Sequence, residues 1–408
     1  MLRRERIKDW QKREAGSTLY IVIVAMVGML GMSALAIDMV SFYLGRAEAQ
    51  RAADAAALAG ATVFVNSGCT SGTGGCVSGG PQETPATQQA IDVGNQNLVA
   101  GQAAGVQAGD VTFSYPSPQE PQITVAVQRT SARGNGMPTF FAKIFGISTV
   151  DITASAKAEA FNPSGSNVPV GVSCLRPFLM PNCDPAHAAP ANPSCSGGGG
   201  QFFDASGNIV HPGKYPAGVI GEPWTLHSDA APSQWYLIGF TGNSSAALRN
   251  FISQCAPAVI SCGDTLNTAN GTKVGPVDQG INALIHANGD GLNQGQDSIS
   301  TVVGPPFLIT GGTNNPNPSL AGRQFYSPSD SIVSVPVYDG HGLNPGGDTV
   351  TVVGYMQMFI KDANHNGTSD DIEGVIINIG GCAGGGGGGG TPAVTSSGGS
   401  PIPIRLIR

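Results

Sequence analysis

"LAIDMVSFYLGRAEAQRAADAAALAGA", residues 35–61, decides how the rest of the chain is read. It leaves an apolar stretch and enters an alanine-rich ribbon without a proline or turn residue between them. Upstream, Leu19 to Ile37 is 19 residues without a charge. At about 1.5 Å per residue that run spans about 28 Å, close to one hydrocarbon core. Downstream, nine of the fifteen residues from Ala47 to Ala61 are alanine, the strongest helix former. Glu48 and Arg51, and Arg51 and Asp54, stand three apart, a spacing at which opposite charges can pair weakly across one helical turn. One helix is therefore expected from about Ser17 to Gly60, roughly 65 Å long. Its outer half carries small side chains that let another helix approach closely. That face reads either as a solvated stalk or as a packing surface in a helical assembly.

Charge sets the topology. Of the 20 basic residues, Arg3, Arg4, Arg6, Lys8, Lys12 and Arg13 precede residue 17, against Glu5, Asp9 and Glu14. A basic flank before an apolar run predicts an N-terminus left in the cytoplasm. The expected location is the bacterial inner membrane, with the bulk of the chain periplasmic or extracellular. A cleaved signal peptide is the competing reading, through Ala34-Leu35-Ala36, but the apolar run exceeds the usual length of about 7–15 residues. Asp38 reads either as an interfacial residue wet by headgroups or as a buried charge awaiting a partner.

The 408 residues carry only 12% charged side chains, with 59 glycines and 29 prolines. Such a composition points to a turn-rich, weakly charged β protein, and the 41% hydrophobic content excludes a disordered polyelectrolyte. Beyond residue 16 the net charge is -10, which leaves no footprint for nucleic acid. Eight cysteines occur at 69, 76, 174, 183, 195, 255, 262 and 382. None forms a CxxC pair, and their loop-like neighbours fit disulfides in an oxidising compartment. Sequence proximity makes Cys69–Cys76 and Cys255–Cys262 the expected pairs, while the full connectivity stays open.

The run "GSTLYIVIVAMVGMLGMSALAIDMVSFYLGRAEAQRAADAAALAGA" (16–61) resembles the N-terminal region of the TadG-like family of Flp (tight adherence) pilus assembly proteins. The features that carry the likeness are the apolar run ending in Ala-Ile-Asp38, an aromatic residue, Arg46, Gln50, and the string from Ala53 and Asp54 through Ala57 to Ala61. "TFFAKIFGISTVDITASAKAEA" (139–160) extends it more loosely. The resemblance implies a membrane-anchored structural or assembly component of a Flp-type pilus, with other pilus-assembly or secretion proteins as partners. It implies an assembly helix bearing Asp38, Arg46, Gln50, Ala53, Asp54 and Ala57. Gly16 is followed by Ile21 where prepilins carry Glu, so prepilin processing is not expected. The rival reading is a surface adhesin that binds a carbohydrate or protein through residues 166–382.

Elsewhere, "QITVAVQR" (122–129) alternates as a half-buried strand with Ile123, Val125 and Val127 inward. Two short strands are expected within 144–160. Further strands are expected at 235–240, 306–310, 332–338, 349–360 and 375–379. Helices are expected at 87–100, at 245–254 with Asn243 or Ser244 as N-cap, and at 277–287. Pro336 should confine its strand to an edge, and "PIPIRLIR" should return as an edge strand. The fold class is α+β. A basic segment (1–16) and an anchor-stalk helix (17–61) precede a small α+β domain (62–165). A larger β-rich, disulfide-stabilised domain (166–382) and a glycine tract with tail (383–408) follow.

No G-x-S-x-G, H-E-x-x-H or P-loop is present, so neither an enzyme nor a small-molecule substrate is expected. The six histidines read as scattered, with no carboxylate or cysteine at ligand spacing. Asp204-Ala205-Ser206-Gly207-Asn208 misses the second Ser of a D-x-S-x-S metal site and reads as a hairpin turn. "DANHNGTSDDIE" (362–373) fits the twelve-residue calcium loop. Asp362, Asn364, Asn366, Thr368, Asp370 and Glu373 would supply its oxygens to Ca²⁺. Strand-like flanks support the competing reading, an Asn366-Gly367 hairpin turn with solvated acids.

Overall fold

A computed structural model describes residues 2–71, 75–165, 170–188, 195, 199–226, 237–240, 244–256, 258–269, 273–302, 304–326, 329–340, 343, 347–365, 370–382, 394–396, 400 and 402–407. Helix α1 covers Leu2–Asn66, longer than expected at both ends. Gly60 does not stop it because Gly60 is buried in the middle of a packed face. A Cβ there would stand 3.1 Å from the carbonyl oxygen of Ala86 and 3.3 Å from Ala90 Cβ. The chain forms two compact units. The first comprises residues 1–56, 91–110 and 125–156; the second comprises 57–90, 111–124 and 157–408.

In the first unit, the outer part of α1 packs through its smallest residues. Gly45, Ala49, Ala52, Ala53 and Ala56 are buried at three- and four-residue spacing, the period of one helix face. A Cβ on Gly45 would overlap Met137 Sδ and lie 3.0 Å from Ile152 Cδ1. Met137–Pro138 pairs antiparallel with Thr149–Val150, making a small hairpin seated on that face. Arg129 is buried at 1% exposure. Its guanidinium donates to the carbonyls of Val99 and Asn135 and to Gln102 Oε1. Burial lowers its pKa from the usual guanidinium value. Arg133 makes a two-pronged pair with Asp110 at 2.6 and 2.7 Å.

The second unit is built on a long hairpin, Thr349–His365 against Asp370–Gly381. Its sheet runs in the order Pro223–Leu226, Asp370–Gly381, Thr349–His365, Ile332–Tyr338, Met180–Pro181. Thr265–Asn267 pairs with the start of the long strand. One face carries Val333, Val335, Met356, Met358, Ile376 and Ile379, packed against helices α3 (Ser245–Ser253) and α4 (Val274–Ile285). The helices approach closely because Gly280 has no side chain; a Cβ there would stand 2.8 Å from Ile252 Cβ. Ser244 caps α3, its hydroxyl accepting from the Ala247 N–H. Strand Ile332–Tyr338 has the expected bounds, but it is not a free edge. Pro336 lacks the donor a ladder needs, and the parallel neighbour Met180–Pro181 pairs only with Val337 and Tyr338 beyond it. Strand Gln122–Arg129, whose residues from Val125 onward belong to the first unit, has the alternation read for it, with Ile123, Val125 and Val127 fully buried. The C-terminal Ile404–Ile407 is an edge strand paired with Ile152–Ala160.

Four disulfides cross-link the chain, and no described cysteine is free. Cys69–Cys76 forms as expected. The expected Cys255–Cys262 bond does not: Cys255 joins Cys174 and Cys262 joins Cys382, while Cys183 joins Cys195. Sheet register, not sequence distance, chooses the partners. Gly263 N–H donates to the Val352 carbonyl and Cys382 N–H to the Val353 carbonyl. Neighbouring residues of one strand thus bring two cysteines 120 apart in sequence to a Cα separation of 5.5 Å. Residues 144–160 hold the expected pair of strands, Thr149–Val150 and Ile152–Ala160, preceded by a 3-10 turn over Ala142–Phe145. Gly146, in the left-handed region at φ 86°, ends the turn.

Candidate functional site

Asp38 is the first residue after the uncharged run, and its side chain is 1% exposed. It faces three backbone donors at the start of the Ala142–Phe145 turn. The Phe140 N–H reaches Oδ1 at 2.9 Å, the Phe141 N–H reaches Oδ2 at 3.1 Å, and the Ala142 N–H reaches Oδ2 at 2.6 Å. The carboxylate thus caps a helical turn, satisfying donors that no intrahelical partner reaches. Of the two readings given to Asp38, the structure shows a paired one, and the partner is the chain itself. The Thr139 N–H donates to the Ser148 carbonyl at 3.1 Å and closes the base of this loop.

The other residues of the assembly pattern fall into two groups. Ala53 and Ala57 are fully buried within the protein, so the surface covering these small side chains is the chain's own. Arg46 and Gln50 are exposed. Gln50 donates to Asp54 Oδ1 at 2.8 Å and to the Ser155 carbonyl at 3.0 Å. Arg46, with Met39, Phe42, Tyr43 and Asp151, lines an open cavity of about 370 Å³. From Leu19 to Leu44 the large apolar side chains of α1 other than the half-buried Phe42 are exposed, and α1 is long and apolar enough to cross a membrane.

The calcium-loop pattern lands on the tip of the long hairpin. Asn366 and Thr368 lie outside the described residues, as do the side chains of Asn364 and Asp370. Asp362 stands directly across from Glu373, and both flanks are strands where an EF-hand has helices. Asp362 is buried and accepts the Gly291 N–H at 2.8 Å. Burial raises its pKa, and the charges of Glu373 and Asp290 add to the rise. Asp204 sits in a turn, accepting the Ser206 and Asn208 N–H groups at 2.8 Å each.

One constellation escaped the sequence reading. Asp184 and His187 are three residues apart, and Glu222 joins them; their ligand atoms all lie within 4.8 Å of one another. These are the described residues that could hold a metal ion, and the local Asp184–His187 spacing corrects the view that no histidine has a carboxylate at ligand distance. His187 Nε2 lies 3.0 Å from the Pro216 carbonyl, which only accepts, so Nε2 bears a hydrogen. His187 Nδ1 lies 2.5 Å from Asp184 Oδ2. Two donor atoms on one zinc ion, each at about 2.0–2.1 Å, would stand about 3.3 Å apart. Glu222 is 3% exposed and its Oε2 has no hydrogen-bonding donor. Burial pushes its pKa up to about 8, with the adjacent Asp184 carboxylate adding to the rise. His211 stacks on His187 at 4.6 Å between ring centroids. Nothing here matches a nucleophile, base and oxyanion arrangement.

No curated protein and no solved structure matches the chain. One family does, and its match falls on the helix that carries Asp38 and the buried alanines. Over residues 16–63, which include the membrane-length run and its alanine-rich continuation, the chain is similar to the family described as "Putative Flp pilus-assembly TadE/G-like".

Proposed function

We propose that this protein is a membrane-anchored, extracytoplasmic assembly component of a Flp-type pilus that works by association with other proteins and not by catalysis. The observation that carries the reading is the coincidence of the family match at 16–63 with an exposed apolar helix that continues directly into a folded unit. In lipid, apolar contact alone gives little drive for helix pairing, so packing detail and polar handles decide association. The alanine face is occupied by the chain itself. The surfaces left for partners on α1 are therefore the exposed run Leu19–Leu44 and the strip of Arg46, Ala47, Gln50 and Arg51. The basic N-terminal flank favours a cytoplasmic N-terminus in the inner membrane, and on that reading the chain after Asp38, with its four disulfides, is extracytoplasmic. Affinity purification of the full chain from membranes tests the reading. Pilus-assembly components should co-purify with the intact protein and be lost when residues 17–61 are replaced by an unrelated anchor. Partner capture that survives the replacement would instead favour binding through residues 166–382.

A further inference from the structure

The loop that holds Asp38 has a surface that no polar turn needs. Phe140, Ile144, Phe145 and Ile147 are 65%, 78%, 84% and 51% exposed, and Phe141 is 37% exposed. None of the side chains of the Ala142–Phe145 turn is buried. Loop tips facing water are ordinarily built from Gly, Pro, Asn, Asp and Ser. A cluster of five large apolar side chains in eight residues marks an interaction surface.

The direction of the loop identifies its occupant. Its base, at Met137 and Ile152, sits against Gly45, and its tip, at Phe140–Ala142, reaches Asp38. Seven residues of helix separate those levels, about 10 Å. The hairpin therefore points back along α1, toward the apolar run and away from the alanine ribbon. Tyr20 and Tyr43 are both exposed, and 23 residues put them about 34 Å apart along the helix. That is between the hydrocarbon thickness of about 30 Å and the full bilayer of about 40–45 Å, where aromatic belts lie. Asp38 falls inside the Tyr43 level, so the tip is brought to the depth at which headgroups meet acyl chains. Burying a bare carboxylate and three bare N–H groups at that depth is costly; here each satisfies the other. Lys143, exposed in the same turn, can extend its ammonium to lipid phosphates while its stem stays among apolar neighbours.

We propose that residues 139–148 form a second membrane contact, a wedge whose Phe140, Ile144, Phe145 and Ile147 enter the lipid interface beside the C-terminal end of the membrane span. This rests on the reading of α1 as a membrane anchor. The wedge fixes the first unit's height and tilt on the bilayer, a constraint that a single helix cannot supply.

The test uses the full chain reconstituted in phosphatidylcholine–phosphatidylglycerol vesicles, with and without lipids brominated near the headgroup end of the acyl chains. Tryptophan is added singly by Phe145→Trp, Leu30→Trp and Leu98→Trp. The wild-type protein run in parallel accounts for the three native tryptophans. Position 145 is highly exposed, so the substitution leaves folding intact. Leu98 is exposed beside Ala100, whose N–H reaches Glu48 Oε2, about 15 Å of helix beyond Asp38. The wedge predicts blue-shifted, bromine-quenched emission for Phe145→Trp and unquenched emission for Leu98→Trp. Quenching at Leu30→Trp without quenching at Phe145→Trp would overturn the wedge and leave the anchor standing, as would a surface that contacts protein instead of lipid. No quenching at Leu30→Trp would overturn the anchor itself. Equal quenching at Leu98→Trp would also overturn the wedge, because the contact would not belong to this loop.

Discussion

Asp38 joins the membrane run to the folded part of the chain at the level of a single side chain. Asp38→Ala leaves three backbone donors of the 140–142 segment without their acceptor, and those are groups that a folded chain rarely leaves unpaired. Hydrogen exchange at Phe140, Phe141 and Ala142 should accelerate in Asp38→Ala, and less so in Asp38→Asn, which keeps one acceptor oxygen. Unchanged exchange in the alanine variant would contradict the capping role. Glu222 makes a pH prediction. Its ordinary value is 4.5 and its folded value is about 8, so between those values the folded state binds a proton that the unfolded state has released. A group with a raised pKa contributes stability that is fully present below pH 4.5 and is lost as pH rises through 8. Melting temperature should therefore fall across that window, and Glu222→Gln, which mimics the protonated form, should flatten the fall. The same slope in the variant would remove Glu222 as its source. Neither arrangement was visible in the sequence in full. Asp38 announced itself as a charge at an apolar boundary, but its donors lie about a hundred residues away, a distance that no local signal bridges. Asp184 and His187 are neighbours, yet Glu222 reaches them only through the fold.

Elements built from local signals were the legible ones. Strand Gln122–Arg129 shows its period of two, α3 shows Ser244 ahead of an apolar period, and Ile332–Tyr338 shows an apolar run bounded by polar turns. The α1 helix was legible as a helix, but the use of its alanine face was not, because small side chains suit a partner helix and the chain's own hairpin equally well. That ambiguity becomes a prediction. Ala53 and Ala57 are fully buried, so Ala53→Leu and Ala57→Leu should each destabilise the folded protein by about 1–3 kcal/mol through overpacking. Ala47→Leu, on an exposed position of the same helix, should leave stability within experimental error; chemical denaturation compares the three. Equal stability of all three variants would mean that the buried face is free. Disulfide partners were legible only where the loop is short. The longer bonds follow strand register, which the spacing of cysteines does not reveal. Peptide mapping without reductant should recover Cys174–Cys255 and Cys262–Cys382, and Cys262→Ser with Cys382→Ser should cost about 2–5 kcal/mol. A recovered Cys255–Cys262 peptide would contradict the register.

At the scale of the whole molecule, a long helix with a membrane-length apolar run precedes a β-rich remainder, and the four disulfides all lie within the second unit. The family match covers residues 16–63, so the role proposed for the β-rich remainder rests on the company the anchor keeps. The central claim is that the protein is needed to build a filament. Surface filaments counted by electron microscopy, in a strain lacking this chain and in the same strain re-expressing it, test that claim most directly. The account predicts that filaments disappear in the deletion strain, return with the intact protein, and do not return with a chain whose residues 17–61 are replaced by an unrelated anchor. Normal filaments in the deletion strain would contradict it.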